Sequence, residues 1–198
     1  MKESSFRSDL EKEKRLALFL DKQYTKYLKN YSFCRETDLS QQHLGVDIRF
    51  THIASGKTFL IDEKAQLDYL NDDLPTFAFE LSYQKKDVRK TGWLFDFNKK
   101  TQFYALVTAI YSDAPKTFTS VKITLVNREL LIQFLTNIGF NKGSFVLPKL
   151  HGKQILKQLN PKTEGYLFYS KDNKAEQPLN LILRLDFLLT KGVAKRLV

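Results

Sequence analysis

The sequence predicts an α/β fold, a mixed central β-sheet flanked by helices, and three observations carry that reading. Residues 5–30 repeat apolar side chains at helical spacing. Several later runs of β-branched and aromatic residues are bounded by turn chemistry, as strands are. One of them, VKITLV, leads directly into NRELLIQFLTNIGF, a second amphipathic helical pattern. The chain has 198 residues, 42% of them hydrophobic and 13% aromatic, which suffices for one sizeable core and lies below the length at which cores usually split. A single domain over residues 1–198 is expected, built in layers.

In the first helix Phe6, Leu10, Ala17, Leu20, Tyr24 and Tyr27 with Leu28 make the apolar stripe. Glu13 falls inside it, so a carboxylate is aimed at the interior. Residues 31–44 are irregular, with a short strand near 32–35. GVDIRFTHI and KTFLIDEKAQ are two β runs joined by Ala54-Ser55-Gly56-Lys57, a hairpin composition. Residues 67–76 form a polar connection containing Pro75, and FAFELSYQ is a third strand. QKKDVRKTG reads as a basic loop, and FYALVTAIY and VKITLV as further strands. Asn127 is placed to cap the helix whose face carries Leu130, Leu131, Phe134, Leu135 and Ile138. HGKQILKQLN reads as a short helix ending before Pro161, and GYLFYS and LNLILRLDFLL as late strands.

Composition excludes several function classes. No apolar run approaches the roughly 20 residues of a membrane span, and MKESSFRSDLEKEK is charged where a secretion signal is apolar. A soluble, cytoplasmic protein with no membrane partner is expected. One cysteine, Cys34, and three scattered histidines, His43, His52 and His151, provide neither an internal disulfide nor a zinc site of ordinary spacing. A metal here would be oxygen-bound. The 32 Lys and Arg outnumber 22 Asp and Glu, leaving +10, a field that attracts polyanions, nucleic acid foremost. Lysine-rich composition alone would give the same balance.

A hairpin centred on Ser55-Gly56 sets Asp47 opposite Lys64, Arg49 opposite Asp62, Ile48 opposite Glu63 and Phe50 opposite Ile61. Opposed residues share a sheet face. One face then carries Val46, Ile48, Phe50, Phe59, Ile61 and Ala65, and the other Asp47, Arg49, Asp62, Lys64 and Gln66. Glu63 alone breaks the separation. Two readings fit the polar face. It is a set of exposed cross-strand ion pairs, each contributing about 0–1 kcal/mol, or it is a site where Asp47 and Asp62 hold Mg²⁺ or Mn²⁺. In the second reading the ion activates water and neutralises charge on a phosphodiester, while Lys64 orients or deprotonates the nucleophile.

GVDIRF (45–50) followed by LIDEKAQ (60–66) resembles the signature of the PD-(D/E)XK nuclease superfamily, in which an acid on one core strand precedes an acid, any residue and a lysine on the next. The resemblance covers residues 5–84 and differs at Val46, where the family name has proline. It implies a restriction-endonuclease-like core, a mixed four-stranded sheet between helices, and Mg²⁺-dependent hydrolysis of DNA phosphodiesters. It also implies roles: Asp47 and Asp62 as the acids, Lys64 as the lysine, Glu63 as a metal ligand through its backbone carbonyl, and Glu13 as the acid of the preceding helix. Gln66, extending the polar line by one step, joins the catalytic set.

Lys85, Lys86, Arg89 and Lys90, then Trp93, Lys99 and Lys100, interleave cations with an aromatic, which suits phosphate contact and base stacking. A solvated loop with a core tryptophan has the same composition. Glu80 joins the site if its strand lies beside that of Asp62. A homodimer is compatible with cutting both DNA strands. The rival expectation is a protein of the same fold that binds nucleic acid and cleaves nothing.

Overall fold

A computed structural model describes residues 2–85, 88–114, 117–143, 145, 147–148, 150–171 and 176–198, with side chains from residue 10 onward. The first helix, α1, is Lys2–Tyr27. Its fully buried side chains are Leu16, Leu20 and Tyr24, a row at i, i+4 spacing, while Leu10 and Tyr27 are each 40% exposed. Of the predicted stripe Leu20 and Tyr24 are buried and Leu16 joins them, while the side chain of Phe6 lies outside the described residues. No helix among the described residues is long and apolar enough to cross a membrane.

A mixed sheet of six strands lies beneath α1. Its members are β1 (Tyr31–Arg35), β2 (Ile48–His52), β3 (Thr58–Ala65), β6 (Phe103–Ala114), β7 (Thr117–Asn127) and β11 (Ala194–Arg196), in that spatial order. β3 and β6 run parallel and every other neighbouring pair is antiparallel. A second sheet comprises β4 (Thr76–Lys85), β5 (Val88–Thr91), β8 (Gly152–Gln154), β9 (Gly165–Tyr169) and β10 (Leu179–Arg184). It is antiparallel throughout, in the spatial order β5-β4-β10-β9-β8.

The class is mixed α/β, but a sheet covers the second face of the larger one where helices were expected. The cause is legible in β4, the strand that begins the crossover from β3 to its parallel neighbour β6. Phe77, Phe79 and Leu81 are buried at every second position, a period that can line a sheet face and cannot line a helix. Two cores result. On one face Leu16, Leu20 and Tyr24 meet Ile48, Phe50, Ile61 and Val107. On the other, Tyr104, Leu106 and Val126 meet Phe79, Leu181 and Leu183, with Leu131 and Leu135 from α3 (Arg128–Asn137). β6 is buried on both sides, which explains its nearly unbroken apolar sequence.

Late elements differ from expectation at two places. HGKQ contributes the short strand β8 and no helix: Gly152 sits at φ 107° and pairs with Tyr169. LNLILRLDFLL divides into β10 and the helix α4 (Leu185–Thr190), whose Leu185, Phe187 and Leu188 are all buried. The short helix α2 (Leu39–His43) is capped by Asp38, which accepts from the Ser40 N–H.

Leu20→Ala should lower the unfolding free energy by roughly 2–5 kcal/mol in urea titration. Leu18→Ala, at a position 66% exposed, should cost under about 0.5 kcal/mol. Equal losses would mean that α1 does not dock through the Leu16–Leu20–Tyr24 row.

Candidate active site

The β2–β3 hairpin closes one residue earlier than predicted. His52 N–H bonds to Lys57 O at 2.9 Å, and the loop between them is Ile53-Ala54-Ser55-Gly56, with Gly56 at φ 68°. The paired residues are Ile48 with Ile61, Arg49 with Leu60, and Phe50 with Phe59. The expected pairs Asp47 with Lys64 and Arg49 with Asp62 therefore do not form, because the register is offset by two residues. An even offset preserves the faces, since side chains alternate with period two. It changes which charges meet. Asp47, one residue before β2, has its carboxyl beside that of Asp62. The Asp47 N–H donates to Ile61 O at 2.8 Å, and Asp47 Oδ2 accepts from the Glu63 N–H at 2.8 Å. Two acids stand side by side where the sequence predicted acid beside base.

Asp62 is 2% exposed. Lys64 Nζ donates to its Oδ1 at 2.5 Å and also lies 5.5 Å from the centre of the Trp93 ring, a cation–π distance. Burial pushes the Asp62 carboxyl up, the Lys64 charge opposes it, and the neighbouring Asp47 carboxylate raises it again, to about 7. The backbone behind this pair is tightly fitted. Gly45, at φ 75°, lies so close that a Cβ on it would stand 2.3 Å from Thr101 Oγ1 and 3.4 Å from Asp62 Oδ2. Thr101 Oγ1 donates to Gly45 O at 2.7 Å, and Lys99 Nζ donates to His43 O at 2.7 Å. On the parallel strand, Tyr104 is level with Asp62, and its hydroxyl accepts from Arg128 Nε at 3.0 Å.

Glu63, the exception in the sequence pattern, faces α1. The Tyr24 hydroxyl donates to its Oε2 at 2.7 Å, Arg35 Nη2 lies 3.5 Å from the same oxygen, and Arg35 Nε donates to Asp21 Oδ1 at 2.8 Å. Burial, the dominant influence, still holds the Glu63 carboxyl above its ordinary range. Its side chain and that of Asp62 point to opposite faces of one strand. Glu13 is also placed away from the acids. It is exposed on α1, and α1 covers the face opposite Asp47 and Asp62, so the sheet itself stands between them.

Gln66 Nε2 donates to Thr76 O at 3.0 Å, tying the end of β3 to the start of β4. Glu80 belongs to the second sheet and not to a strand beside β3, yet it reaches the same region across the seam. Burial chiefly raises its carboxyl, and Glu176 adds to the rise, while the Trp93 N–H and the charges of Lys64 and Arg89 oppose it. Trp93 is half-buried and packs against Tyr104 at 4.8 Å and Phe79 at 5.5 Å.

The basic segment divides as well. Lys85, Lys90 and Lys100 are exposed and Lys99 is half-buried, while Lys86 lies outside the described residues. Arg89 is turned inward, donating to Ser82 Oγ at 2.7 Å and Gln177 O at 3.1 Å, with Tyr169 beneath its guanidinium. Sequence reasoning missed Gly45, Thr101, Tyr104, Arg128 and Glu36. Glu36 is bonded to Asp47 through the backbone, and its carboxylate accepts from Arg49 Nη2 at 2.5 Å, which holds it below the usual range. A glycine two residues before an acid was the one available signal; Thr101 and Arg128 come from distant sequence and carry none.

Among the described residues, no group of three or more His, Cys, Asp and Glu gathers at one point. Asp47 and Asp62 are a pair. No family model, curated protein or solved structure matches the chain.

Because the fold raises the Asp62 pKa, the native state keeps a proton that the unfolded chain has released between its ordinary 3.8 and about 7. Stability without divalent cations should therefore fall as pH rises through that window. Glu63 and Glu80 shift in the same direction, so Asp62→Asn should flatten the decline without abolishing it. Melting temperatures of both proteins from about pH 4 to about pH 8 check this; parallel profiles would mean that Asp62 is ionised throughout.

Proposed function

We propose that this chain is a metal-dependent nuclease hydrolysing DNA phosphodiester bonds, with Asp47, Asp62 and Lys64 at its centre. The reading rests on the restriction-endonuclease-like plan that GVDIRF and LIDEKAQ resemble. The observation that carries it is the opposition of two carboxylates, one nearly fully buried, with an ammonium 2.5 Å from the buried one. Like charges held together out of water are costly unless a cation joins them. The sheet supports the reading too: β1-β2-β3-β6 is a four-stranded mixed segment, with Asp62 on the inner strand β3 and Asp47 immediately before its inner neighbour β2.

The donor set fits Mg²⁺ or Mn²⁺, since Mg²⁺ is commonly held by one or two carboxylates with water completing its shell. Asp47 and Asp62 would hold the ion, which when bound supplies charge neutralisation at phosphate and a more acidic water. The chain's own residues do the rest. The Glu63 N–H fixes the Asp47 carboxylate. Lys64, 32% exposed along its side chain, presents a donor to a phosphate oxygen or to the attacking water from a position set by Asp62 and Trp93. The formal charge of +10 draws a polyanion to the surface, and a homodimer would let two such sites cut both strands.

A nucleic-acid-binding protein without cleavage is favoured by one observation: the Lys64–Asp62 ion pair satisfies both groups without a metal, and among the described residues no third carboxylate gathers with them. Supercoiled plasmid and single-stranded DNA, incubated with Mg²⁺, Mn²⁺ or EDTA, separate the two. Metal-dependent cleavage should fall at least about 100-fold in Asp62→Asn and in Lys64→Ala, with melting curves showing both variants folded. DNA binding without cleavage on any substrate would favour the binding protein.

The exposed lysines give a further expectation. Replacing Lys85, Lys90 and Lys100 with glutamine should weaken DNA binding and flatten its dependence on salt, the logarithmic slope falling by about 0.9 for each phosphate that the variant no longer neutralises. Arg89→Gln should instead lower the melting temperature, because its guanidinium ties β5 to Ser82 and Gln177. An unchanged salt slope in the lysine variant would remove the segment from the interface.

A further inference from the structure

Three polar groups lie buried without partners on one face of the large sheet. Thr108 and Thr124 are both 0% exposed, and neither hydroxyl has a hydrogen-bond partner among the described residues. Arg196 Nη1 is likewise buried and unpartnered. Strand register brings the three together. Arg196 is opposite Thr124 across β11 and β7, Thr124 is opposite Leu106 on β6, and Thr108 stands two residues beyond Leu106. Opposed and diagonal residues of this kind share a face, their side chains starting about 5 Å apart when opposed and about 7 Å apart on the diagonal. The face is the one turned to the second sheet, since Leu106 and Val126 on it belong to the core between the sheets.

The backbone is irregular at the same place. Ala109, next to Thr108, is buried at φ 46°, a left-handed conformation that a β-carbon disfavours, and β6 shifts register against β7 between Thr108 and Tyr111. Buried polar groups in folded proteins are nearly always satisfied, by protein, by water or by an ion. The chemistry of these three selects among those partners. A guanidinium N–H only donates, and each hydroxyl can donate, so three donors are available to one acceptor. Charge points the same way. Among the described residues no carboxylate pairs with Arg196, and Asp73, near this end of the face, is held by Lys122, the residue opposite Thr108. Water would accept and must also place two hydrogens of its own, whereas a halide only accepts and brings the compensating charge. Arg196 is half-buried, which leaves the enclosed nitrogen one side chain away from solvent.

We propose that Thr108, Thr124 and Arg196 bind one chloride-sized inorganic anion between the two sheets. The ion neutralises the guanidinium and ties β11, a strand of three residues at the sheet's edge, to β7 and β6. The site is independent of the nuclease reading, because it uses none of Asp47, Asp62 and Lys64, and its test involves neither DNA nor a divalent cation.

Melting of the whole chain in sodium chloride and in sodium gluconate, a salt with a bulky anion, at equal ionic strength tests it. The melting temperature should rise with chloride, as a ligand bound by the folded state alone requires, and stay level in gluconate. Thr124→Val and Thr108→Val each remove a hydroxyl and keep the shape of the side chain. Each should raise the chloride concentration needed for the same rise at least about tenfold. In gluconate both should melt no lower than the native chain, because an unsatisfied buried group is gone. Anomalous diffraction from a bromide-soaked crystal of the native chain serves if the variants fail to fold, and a peak among Thr108, Thr124 and Arg196 is expected. Equal melting in the two salts, an unchanged chloride response in both valine variants, valine variants that melt lower in gluconate, or water alone among the three groups would overturn the proposal.

Discussion

Strand β3 is buried on both faces at Ile61 and Asp62, and the rest of the molecule is arranged around that constraint. Ile61 and Glu63 face α1, while Asp62 and Lys64 face the second sheet. Consecutive residues therefore deliver two carboxylates into two different cores, and neither has enough water to remain charged without partners. The partners that each side chain finds decide what kind of site it becomes.

Glu63 is met on its own terms. A tyrosine hydroxyl and an arginine reach it from α1 and β1, and the arginine is shared with Asp21. That network couples the helix to the sheet and leaves its carboxylate occupied, the pattern of a structural group. Asp62 is met by one cation and one further anion. Lys64 compensates it, Asp47 offsets that compensation, and burial keeps the balance toward the protonated form. A carboxylate so poised gains from a divalent cation in a way that Glu63 does not, and this asymmetry across one strand separates chemistry from scaffolding in the proposed function.

The second sheet matters because of what it carries to the seam. A strand crossover in place of a helix brings Glu80 and Trp93 over Lys64, then returns through Thr101 to press against Gly45 behind Asp62. Arg128, at the start of α3, spans Tyr104, Leu94 O and Asp96 O and locks that returning segment to β6. The site is thus enclosed by segments from four separate stretches of chain, while its two acids and its lysine come from one hairpin.

What the hairpin contains, the sequence by itself determined. The alternation of GVDIRF and TFLIDEKA assigns each side chain to a face, since period two is a local property of extended backbone. Asp47, Asp62 and Lys64 consequently share a face in any even register. The sequence also marked α1, the strand runs and the Asn127 cap, whose side chain accepts from the Leu130 N–H. Tertiary structure decided the rest. A left-handed Gly56 moved the turn by one residue and put acid beside acid, a choice between two registers that both keep the apolar face intact. Which of two facing surfaces α1 would cover was equally undetermined, and it placed Glu13 beyond the sheet from the acids and gave Glu63 its partners. Arg89 reads as a surface group because its neighbours in sequence are charged, but burial is set by what packs on a residue from elsewhere, and no local pattern records that.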